Sequence, residues 1–200
     1  MVHPACPFDR RSVRASVLKP PVAMRDFLPA DSAQVDALGI AAFEQYQHFY
    51  NDWPALRERI AHLSSLAEHG EIVVAEIDGR IVGSVAYIGP GKPKSPFYQP
   101  QWAVMRMLVV APEAQGHGIG RMLADECIGR ARRDKAGVFA LHTSEMMKVA
   151  LPMYLRMGFA RHASAPTTYG VAYAVYTKIL DPDASPGASR PWFFEDSGGG

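Results

Sequence analysis

The sequence predicts a mixed α/β domain built on a largely antiparallel central sheet flanked by helices. Three features favour this class: strand-like runs joined by a tight hairpin turn, a central strand that is apolar on both faces, and amphipathic stretches with helical spacing. The predicted order is β-α-α-β-β-β-α-β-α-β-β. We expect a single domain at 21–180, a flexible N-terminal arm at 1–20 and a C-terminal tail at 181–200.

The first third of the chain predicts one strand and two helices. Residues 22–27 form a short strand, and Asp31 or Ser32 then caps a helix that runs to about Tyr50. Asp52 caps a second helix, with a proline in its first turn and Gly70 just past its end. Four aromatic residues fall at spacings of three, four and three on one helical face, namely Phe43, Tyr46, Tyr50 and Trp53. This face packs into the core or walls a pocket.

The middle of the chain predicts a hairpin and a central strand. Residues 71–77 and 80–88 are strands joined by Asp-Gly, a dipeptide that favours the type I′ turn of a two-residue hairpin. Residues 89–100 hold four prolines and two glycines, which predicts a loop. The strand at 102–110 is apolar on both faces apart from Arg106, so we expect it at the centre of the sheet.

The last third predicts two helices and three strands. A glycine-rich turn at 112–120 opens a helix that runs to about Arg133, and 138–143 is a strand. The next helix stops at Gly158, and Pro152 makes it start late or kink. Residues 159–163 and 169–179 close the chain as strands. The buried stripe of the first of these helices is predicted as Ile119, Met122, Leu123, Cys127 and Ala131.

Composition limits the function classes. Lys plus Arg number 21 and Asp plus Glu number 20, so the net charge of +1 gives no electrostatic case for nucleic acid or an anionic membrane. No apolar run approaches the ~20 residues of a membrane span, and the N-terminus does not resemble a signal peptide. Two cysteines are too few for a disulfide framework or a thiolate zinc site. We therefore expect a reduced, cytoplasmic protein without a metal.

The tail carries three consecutive aromatic residues, at positions 192–194. A free tail rarely holds such a run, so these side chains are expected to dock on the body of the domain or on a second subunit. A homodimer is therefore one possible assembly.

The glycine-rich turn predicts an anion site. Glycines at 116, 118 and 120 coincide with the start of a helix, where unpaired backbone N–H groups and the helix dipole suit a phosphate or pyrophosphate. A tight turn that only packs a helix on a sheet is the structural alternative. A Walker A loop is excluded because Arg121 follows Gly120, and a dinucleotide fingerprint is excluded because its third glycine position also falls on Arg121.

A third pattern fits this turn. Residues 115–120, Gln-Gly-His-Gly-Ile-Gly, resemble the (Arg/Gln)-x-x-Gly-x-(Gly/Ala) motif of the GNAT acetyltransferase superfamily. The segment that leads into the motif, 108–113 (Leu-Val-Val-Ala-Pro-Glu), is also similar to the segment that usually precedes it in that family. About 35 residues later, 150–159 resemble the family signature Ala-x-x-x-Tyr-x-x-x-Gly-Phe. The likeness covers roughly 22–180 and implies a GNAT-like fold in which the central strand and its neighbour splay apart.

The resemblance implies acetyl-CoA as cosubstrate, with its pyrophosphate on backbone N–H groups of the turn and its pantetheine beside the end of the central strand. It also implies that Tyr154 protonates the departing thiolate, with a core tyrosine as the structural alternative. His117 is expected to be exposed rather than catalytic. The implied cofactor-binding residues are Leu108, Val109, Val110, Gln115, Gly116, His117, Gly118, Ile119, Gly120 and Arg121.

Two departures from the family pattern concern the cofactor and the base. Met147 stands where many members carry an asparagine that contacts pantetheine, and the central strand has no carboxylate to serve as general base. Base candidates elsewhere are Glu76, His142, Glu145, and the pair Glu44 and His48. A water chain to a distant base is equally compatible with the sequence.

The resulting hypothesis is direct acetyl transfer from acetyl-CoA to a primary amine of a small molecule or peptide. Cys127 lies on a buried stripe and is not expected to carry the acyl group. The aromatic residues of the first two helices and of the 89–100 loop suit an acceptor with an apolar portion. Acidic residues are sparse in that region, which argues against polyamines and aminoglycosides as acceptors. Alternatives are another acyl-CoA donor, or a CoA-binding sensory or regulatory module without turnover. A thiol-release assay distinguishes an enzyme from a sensor.

Overall fold

A computed structural model describes residues 21–187, so the expected N-terminal arm and the aromatic run at 192–194 lie outside the described residues. The strands are β1 (Ala23–Asp26), β2 (Glu71–Ile77), β3 (Arg80–Ile88), β4 (Ala103–Val110), β5 (Val138–Thr143), β6 (Ala160–Thr168) and β7 (Val171–Ile179). The α-helices are α1 (Ser32–Glu44), α2 (Trp53–Ile60), α3 (Ile119–Arg133) and α4 (Ala150–Arg156). This order agrees with the one predicted from sequence.

The strands form one sheet in the order β1-β2-β3-β4-β5-β7-β6, with β4 at its centre. Neighbouring strands are antiparallel except for β4 and β5, which are parallel. Helices α1 and α3 pack against both β3 and β4. The predicted class, a mixed α/β domain with a largely antiparallel sheet, is therefore confirmed.

The parallel pair β4 and β5 separates after a short contact. Only Ala103 and Val104 pair with β5, although β4 continues to Val110. On its other edge β4 carries a bulge, because two β4 residues, Met107 and Leu108, lie opposite the single β3 residue between Ser84 and Ala86. Met107 has a positive φ of 51°, which bends the strand at this point. The gap between the two strands opens the sheet at its centre.

Local turn chemistry explains why several boundaries match the sequence prediction. Asp78 and Gly79 both have positive φ, at 49° and 78°, as a type I′ turn requires. The Asp52 carboxylate accepts the Ala55 N–H at 3.0 Å and caps α2 as predicted. The helix α4 starts late, at Ala150, and Pro152 falls in its first turn, where its missing N–H removes no helical bond.

Four sequence predictions in the helices were wrong in detail. The helix α2 ends at Ile60 rather than just before Gly70, and a 3-10 segment over Leu63–Glu68 follows it. The helix α1 ends at Glu44 rather than near Tyr50, and a short 3-10 turn follows over Gln47–Phe49. The Asp31 side chain does not cap α1, because it accepts bonds from Arg25 and from the Leu28 N–H instead. Met122 is exposed, and the buried stripe of α3 uses Ala124 and Ile128 in its place.

The core follows the alternation of the strands. Phe139 and Leu141 of β5 point into the large core beneath the helices, whereas Val138 and Ala140 point into a smaller cluster with Trp102. The loop at 89–100 covers this smaller cluster. Lys94 fixes the loop by donating to the carbonyl oxygens of Gly89, Pro100 and Trp102 at 2.8–3.0 Å.

Candidate active site

A cavity of about 650 Å³ opens where β4 and β5 separate. Its walls come from α1, α2, β4, the glycine-rich turn with α3, β5, α4 and the last two strands. Nine of the ten residues expected to bind the cofactor line it, together with Tyr154: Leu108, Val109, Val110, Gln115, Gly116, Gly118, Ile119, Gly120 and Arg121. The structure therefore gathers residues that are up to 46 positions apart into one chamber.

The glycine-rich turn forms one end of the cavity. Gly116 and Gly118 have φ values of 78° and 81°, a conformation that other residues adopt at a cost. Gly118 is the N-cap of α3 and no side chain caps this helix, so the first-turn N–H groups of Ile119, Gly120 and Arg121 have no helical acceptor. A Cβ at position 118 would meet no atom within 4 Å. The turn thus offers free donors and open space for an anion.

Two side chains of this turn contact backbone carbonyls of the turn and of β4. The His117 Nδ1 lies 2.9 Å from the carbonyl oxygen of Gln115 and 3.2 Å from that of Ala114, and His117 is the one expected cofactor residue that does not line the cavity. The Gln115 amide nitrogen is turned back toward the Val110 carbonyl at 3.4 Å. The donors at this end of the cavity are therefore backbone N–H groups together with the Arg121 side chain.

Tyr154, on α4, combines a core ring with a cavity position. It is 6% exposed, and its ring meets Phe159 edge-on with centroids 5.9 Å apart. Its hydroxyl makes no hydrogen bond to another residue within 21–187. Burial raises the pKa of Tyr154 above its usual range, so the hydroxyl stays protonated. Tyr154 is therefore a buried acid on the cavity wall, without a hydrogen-bond partner among the described residues.

His142, on β5, is the one sequence-derived base candidate that lines the cavity. Tyr98, from the 89–100 loop, holds its Nδ1 through a hydrogen bond of 2.8 Å. Burial, with smaller contributions from the nearby charges of Arg106 and Arg59, lowers the pKa of His142 to about 4. His142 is therefore neutral at neutral pH.

The other base candidates lie elsewhere in the structure. Glu76 accepts a bond from Arg25 at 3.0 Å on the β1–β2 side of the sheet. Glu44, His48 and Glu145 are exposed and do not line the cavity. In the part of the chain that the structure describes, no carboxylate lines the chamber.

Two arginines that sequence reasoning did not select also line the cavity. Arg106 is the lone charge of the central strand β4, and Arg59 lies on α2. The Arg106 Nε is buried without a hydrogen-bond partner among the described residues, and burial lowers the pKa of its guanidinium. The sequence signal that could have identified Arg106 is that it is the single charged residue in an otherwise apolar strand.

The aromatic face predicted for the first helix contributes part of the cavity wall. Phe43 and Tyr46 line the cavity, whereas Tyr50 is buried beside it. The hydroxyls of Tyr50 and Tyr173 lie 2.7 Å apart and tie the segment after α1 to β7. The prediction of one continuous helical face was wrong, but its residues do form one cluster with Trp53.

Comparison with known proteins identifies the family. The sequence model of the Acetyltransferase (GNAT) family matches residues 38–159, which is more than half of the chain and includes both the glycine-rich turn and Tyr154. The chain belongs to the GNAT acetyltransferase family.

Individual relatives agree with this membership. An S-alkylcysteine N-acetyltransferase of Bacillus subtilis is 27% identical over 132 residues, which is 64% of this chain and 73% of that enzyme. A GNAT family acetyltransferase of Brucella melitensis, solved with acetyl-CoA, covers 86% of this chain and 95% of its own at 22% identity and a TM-score of 0.57. A ribosomal-protein-alanine N-acetyltransferase of the same organism covers 79% and 99% at 23% identity and a TM-score of 0.59.

Two further features of this GNAT chain bear on its chemistry. Met147, at the position where many members carry asparagine, is buried and lines the cavity. Cys127 is fully buried on α3, and burial raises the pKa of its thiol, which makes it a poor nucleophile.

The described residues contain neither a cluster of metal-ligating side chains nor a helix of membrane-spanning character. Among the described residues, no group of three or more His, Cys, Asp or Glu side chains is placed to hold a metal ion. Within residues 21–187, no helix is both long and apolar enough to span a membrane.

Proposed function

We propose that this GNAT enzyme is an N-acetyltransferase that passes the acetyl group of acetyl-CoA directly to a primary amine of a small molecule or peptide. One observation carries the proposal: a single cavity is lined by the residues at the start of α3, by the edges of β4 and β5 where they separate, and by Tyr154. An anion-binding end and a buried acid in the same chamber are what transfer from a phosphate-bearing thioester requires.

The residues present fit acetyl-CoA. The backbone N–H groups of Ile119, Gly120 and Arg121 would hold the pyrophosphate, since the turn presents free donors at the positive end of a 15-residue helix. Beyond Val104, the β5-facing edge of β4 is not paired with β5, so its backbone groups are available to a pantetheine chain. Acetyl-CoA supplies an acetyl group activated as a thioester.

Transfer forms a C–N bond between the amine and the acetyl carbonyl carbon and breaks the C–S bond. The Tyr154 hydroxyl would give its proton to the departing sulfur, because a thiolate that leaves into a closed site is costly while charged and unpaired. The amine must lose its ammonium proton before attack. His142 is neutral at neutral pH and would accept a hydrogen bond from the amine or from a water that carries the proton to solvent, because its lowered pKa makes it too weak a base to hold the proton itself.

The buried Cys127 supports direct transfer over an acyl-enzyme route. Of the described residues it is the one cysteine, and it does not line the cavity. Attack by the amine on the thioester therefore needs no covalent enzyme intermediate.

A thiol-release assay tests the proposal. Purified protein with acetyl-CoA is screened against amines that include S-methylcysteine, since the Bacillus subtilis relative is named for S-alkylcysteine. We expect acceptor-dependent release of CoA and formation of the N-acetyl product, detected by mass. Tight binding of acetyl-CoA, without release of its thiol in the presence of any amine, would instead favour a sensory module. Faster turnover with propionyl- or succinyl-CoA would assign a different acyl donor.

A further inference from the structure

The charge of the cavity lining has one sign. Four arginines line the chamber, Arg59, Arg106, Arg121 and Arg156, and within the described residues no Asp or Glu does. An acceptor amine is a cation in water before it reacts. A simple ammonium ion would therefore enter a chamber that repels it, unless the acceptor brings its own negative charge.

Two of these arginines lie away from the expected phosphate site. Arg106 precedes Val110 by four residues along β4, which is about 13 Å of extended strand from the start of the glycine-rich turn. Arg106 and Arg59 both act on His142, so the three side chains lie close together. The two cations therefore belong to the part of the lining formed by α2, β4 and β5, and not to the N-terminus of α3.

Arg106 lacks the partners that other shielded arginines have in this protein. Arg130, whose side chain is 11% exposed, binds carboxylates of Asp26, Glu71 and Glu126. The Arg106 guanidinium makes no ion pair or hydrogen bond with any other residue of the described chain, and its Nε is buried. Because an unpaired shielded cation costs free energy, its presence beside a cavity points to a ligand that completes it.

We propose that the acceptor carries a carboxylate close to its amino group, as a free α-amino acid does, and that Arg106 binds this carboxylate with support from Arg59 at the cavity mouth. The inference rests on the proposed function, because it concerns the acceptor of the same site. A planar guanidinium forms two parallel hydrogen bonds with a carboxylate, which fixes the position of the attached amine.

The rest of the acceptor meets apolar surface. Phe43, Tyr46, Leu56 and Ile60 line the cavity on the side formed by α1 and α2. A side chain that is aliphatic, aromatic or a thioether suits this wall, whereas an acidic or strongly basic side chain does not.

Matched acceptors and matched variants test the proposal. Thiol release is measured for S-methylcysteine and phenylalanine, for their carboxamides, and for the decarboxylated amines, with wild-type protein, Arg106→Gln, Arg59→Gln and Arg57→Gln. Arg57 is the control, since it is exposed on α2 two residues from Arg59 and does not line the cavity. A dipeptide such as phenylalanyl-alanine separates a free amino acid from a peptide N-terminus, because its carboxylate is displaced. Calorimetry of the amino acids in the presence of CoA reports binding without turnover.

We expect wild-type kcat/KM to favour each amino acid over its carboxamide by at least about tenfold, the scale of a lost charge-assisted hydrogen bond. Arg106→Gln should bring this ratio close to one, Arg59→Gln should lower it less, and Arg57→Gln should leave it unchanged. KM for acetyl-CoA should stay the same in all three variants.

The outcomes separate this inference from the proposed function. Thiol release with equal rates on acids and amides, or an unchanged ratio in Arg106→Gln, overturns the carboxylate site and leaves the acetyltransferase intact. Amino-acid binding that depends on Arg106, without thiol release, supports the site and overturns the proposed activity. Failure of every amino acid both to bind and to react also overturns the inference.

Discussion

Arginines occur in two contrasting surroundings in this molecule. On the outer side of α3, Arg130 and Arg133 share Glu71, and Arg130 also meets Asp26 and Glu126. In the cavity, Arg106 is half-buried with its Nε shielded from solvent, but it has no carboxylate partner among the described residues. In the first region charge is satisfied within the fold and links α3 to the sheet. In the second the fold leaves charge unsatisfied, which is the mark of a ligand site.

The largest expected effect lies in the cavity and concerns Tyr154. Because its hydroxyl makes no hydrogen bond to a described residue, Tyr154→Phe should leave the free energy of unfolding and the acetyl-CoA affinity unchanged. It should lower kcat by about 10²-fold, or ~2.7 kcal/mol of barrier, the low end for a lost general acid. Steady-state kinetics on the true acceptor give the test. Turnover above about a third of the wild-type rate would make Tyr154 a core residue only.

A second prediction concerns the pH dependence of stability that follows from the burial of His142 beside two cations. His142 has a pKa of about 4 in the folded protein against about 6.5 in the unfolded chain. The unfolded state therefore binds the proton first as pH falls, so stability is full above pH ~6.5 and is lost toward pH ~4. At about pH 4.5 this loss is about 2 to 3 kcal/mol.

Urea unfolding at about pH 7.5 and about pH 4.5 measures this contribution, with His142→Gln as the comparison. The variant should lose less stability than wild type over this interval, because its amide does not titrate. Equal losses in the two proteins would mean that His142 is protonated in the folded state at about pH 4.5.

The glycine-rich turn provides a third prediction, in which a charge is added to the cavity rather than removed. Asp and Asn are similar in size and both tolerate the positive φ of Gly118. Gly118→Asp should bind acetyl-CoA at least about tenfold more weakly than Gly118→Asn, or ~1.4 kcal/mol, because its carboxylate repels the pyrophosphate. Calorimetry that gives both variants the same dissociation constant would remove the pyrophosphate from this turn.

The smallest expected effect is that of His117→Ala. The ring contacts two backbone carbonyls of its own turn and does not line the cavity. We expect KM for acetyl-CoA to change by less than about threefold, ~0.6 kcal/mol, and kcat to stay the same. A fall in kcat of about 10²-fold, the scale of general acid–base catalysis, would instead make His117 a catalytic residue.

Local chemistry explains how much of the fold was predictable from sequence. The hairpin at Asp78 and Gly79 and the cap at Asp52 depend on adjacent residues, and both were predicted correctly. The end of α1 was not, because long-range contacts end the helix. Tyr50 reaches the Tyr173 hydroxyl on β7, and the next residue donates its N–H to the Tyr169 carbonyl. Helical periodicity carries no information about such partners.

The candidate site also has one part that could be predicted from the sequence and one part that could not. The anion-binding turn is contiguous in sequence, so its residues could be named and most of them line the cavity. The other part of the site brings together Arg59, Arg106 and His142 from three elements that are far apart along the chain. The sequence showed Arg106 only as a lone charge in an apolar strand, and its lack of a partner is a property of the assembled structure.

The stability of one matched pair, Arg106→Met and Arg130→Met, tests most directly the claim that the cavity charge is kept for a ligand. Chemical unfolding without ligand should show Arg106→Met to be as stable as wild type or more stable, since it removes an unpaired shielded cation. Arg130→Met should be less stable by about 1–2 kcal/mol, between the values for exposed and for buried ion pairs, because its carboxylate partners remain partly solvated. A loss in Arg106→Met equal to that in Arg130→Met would show that Arg106 serves the fold and would contradict the account.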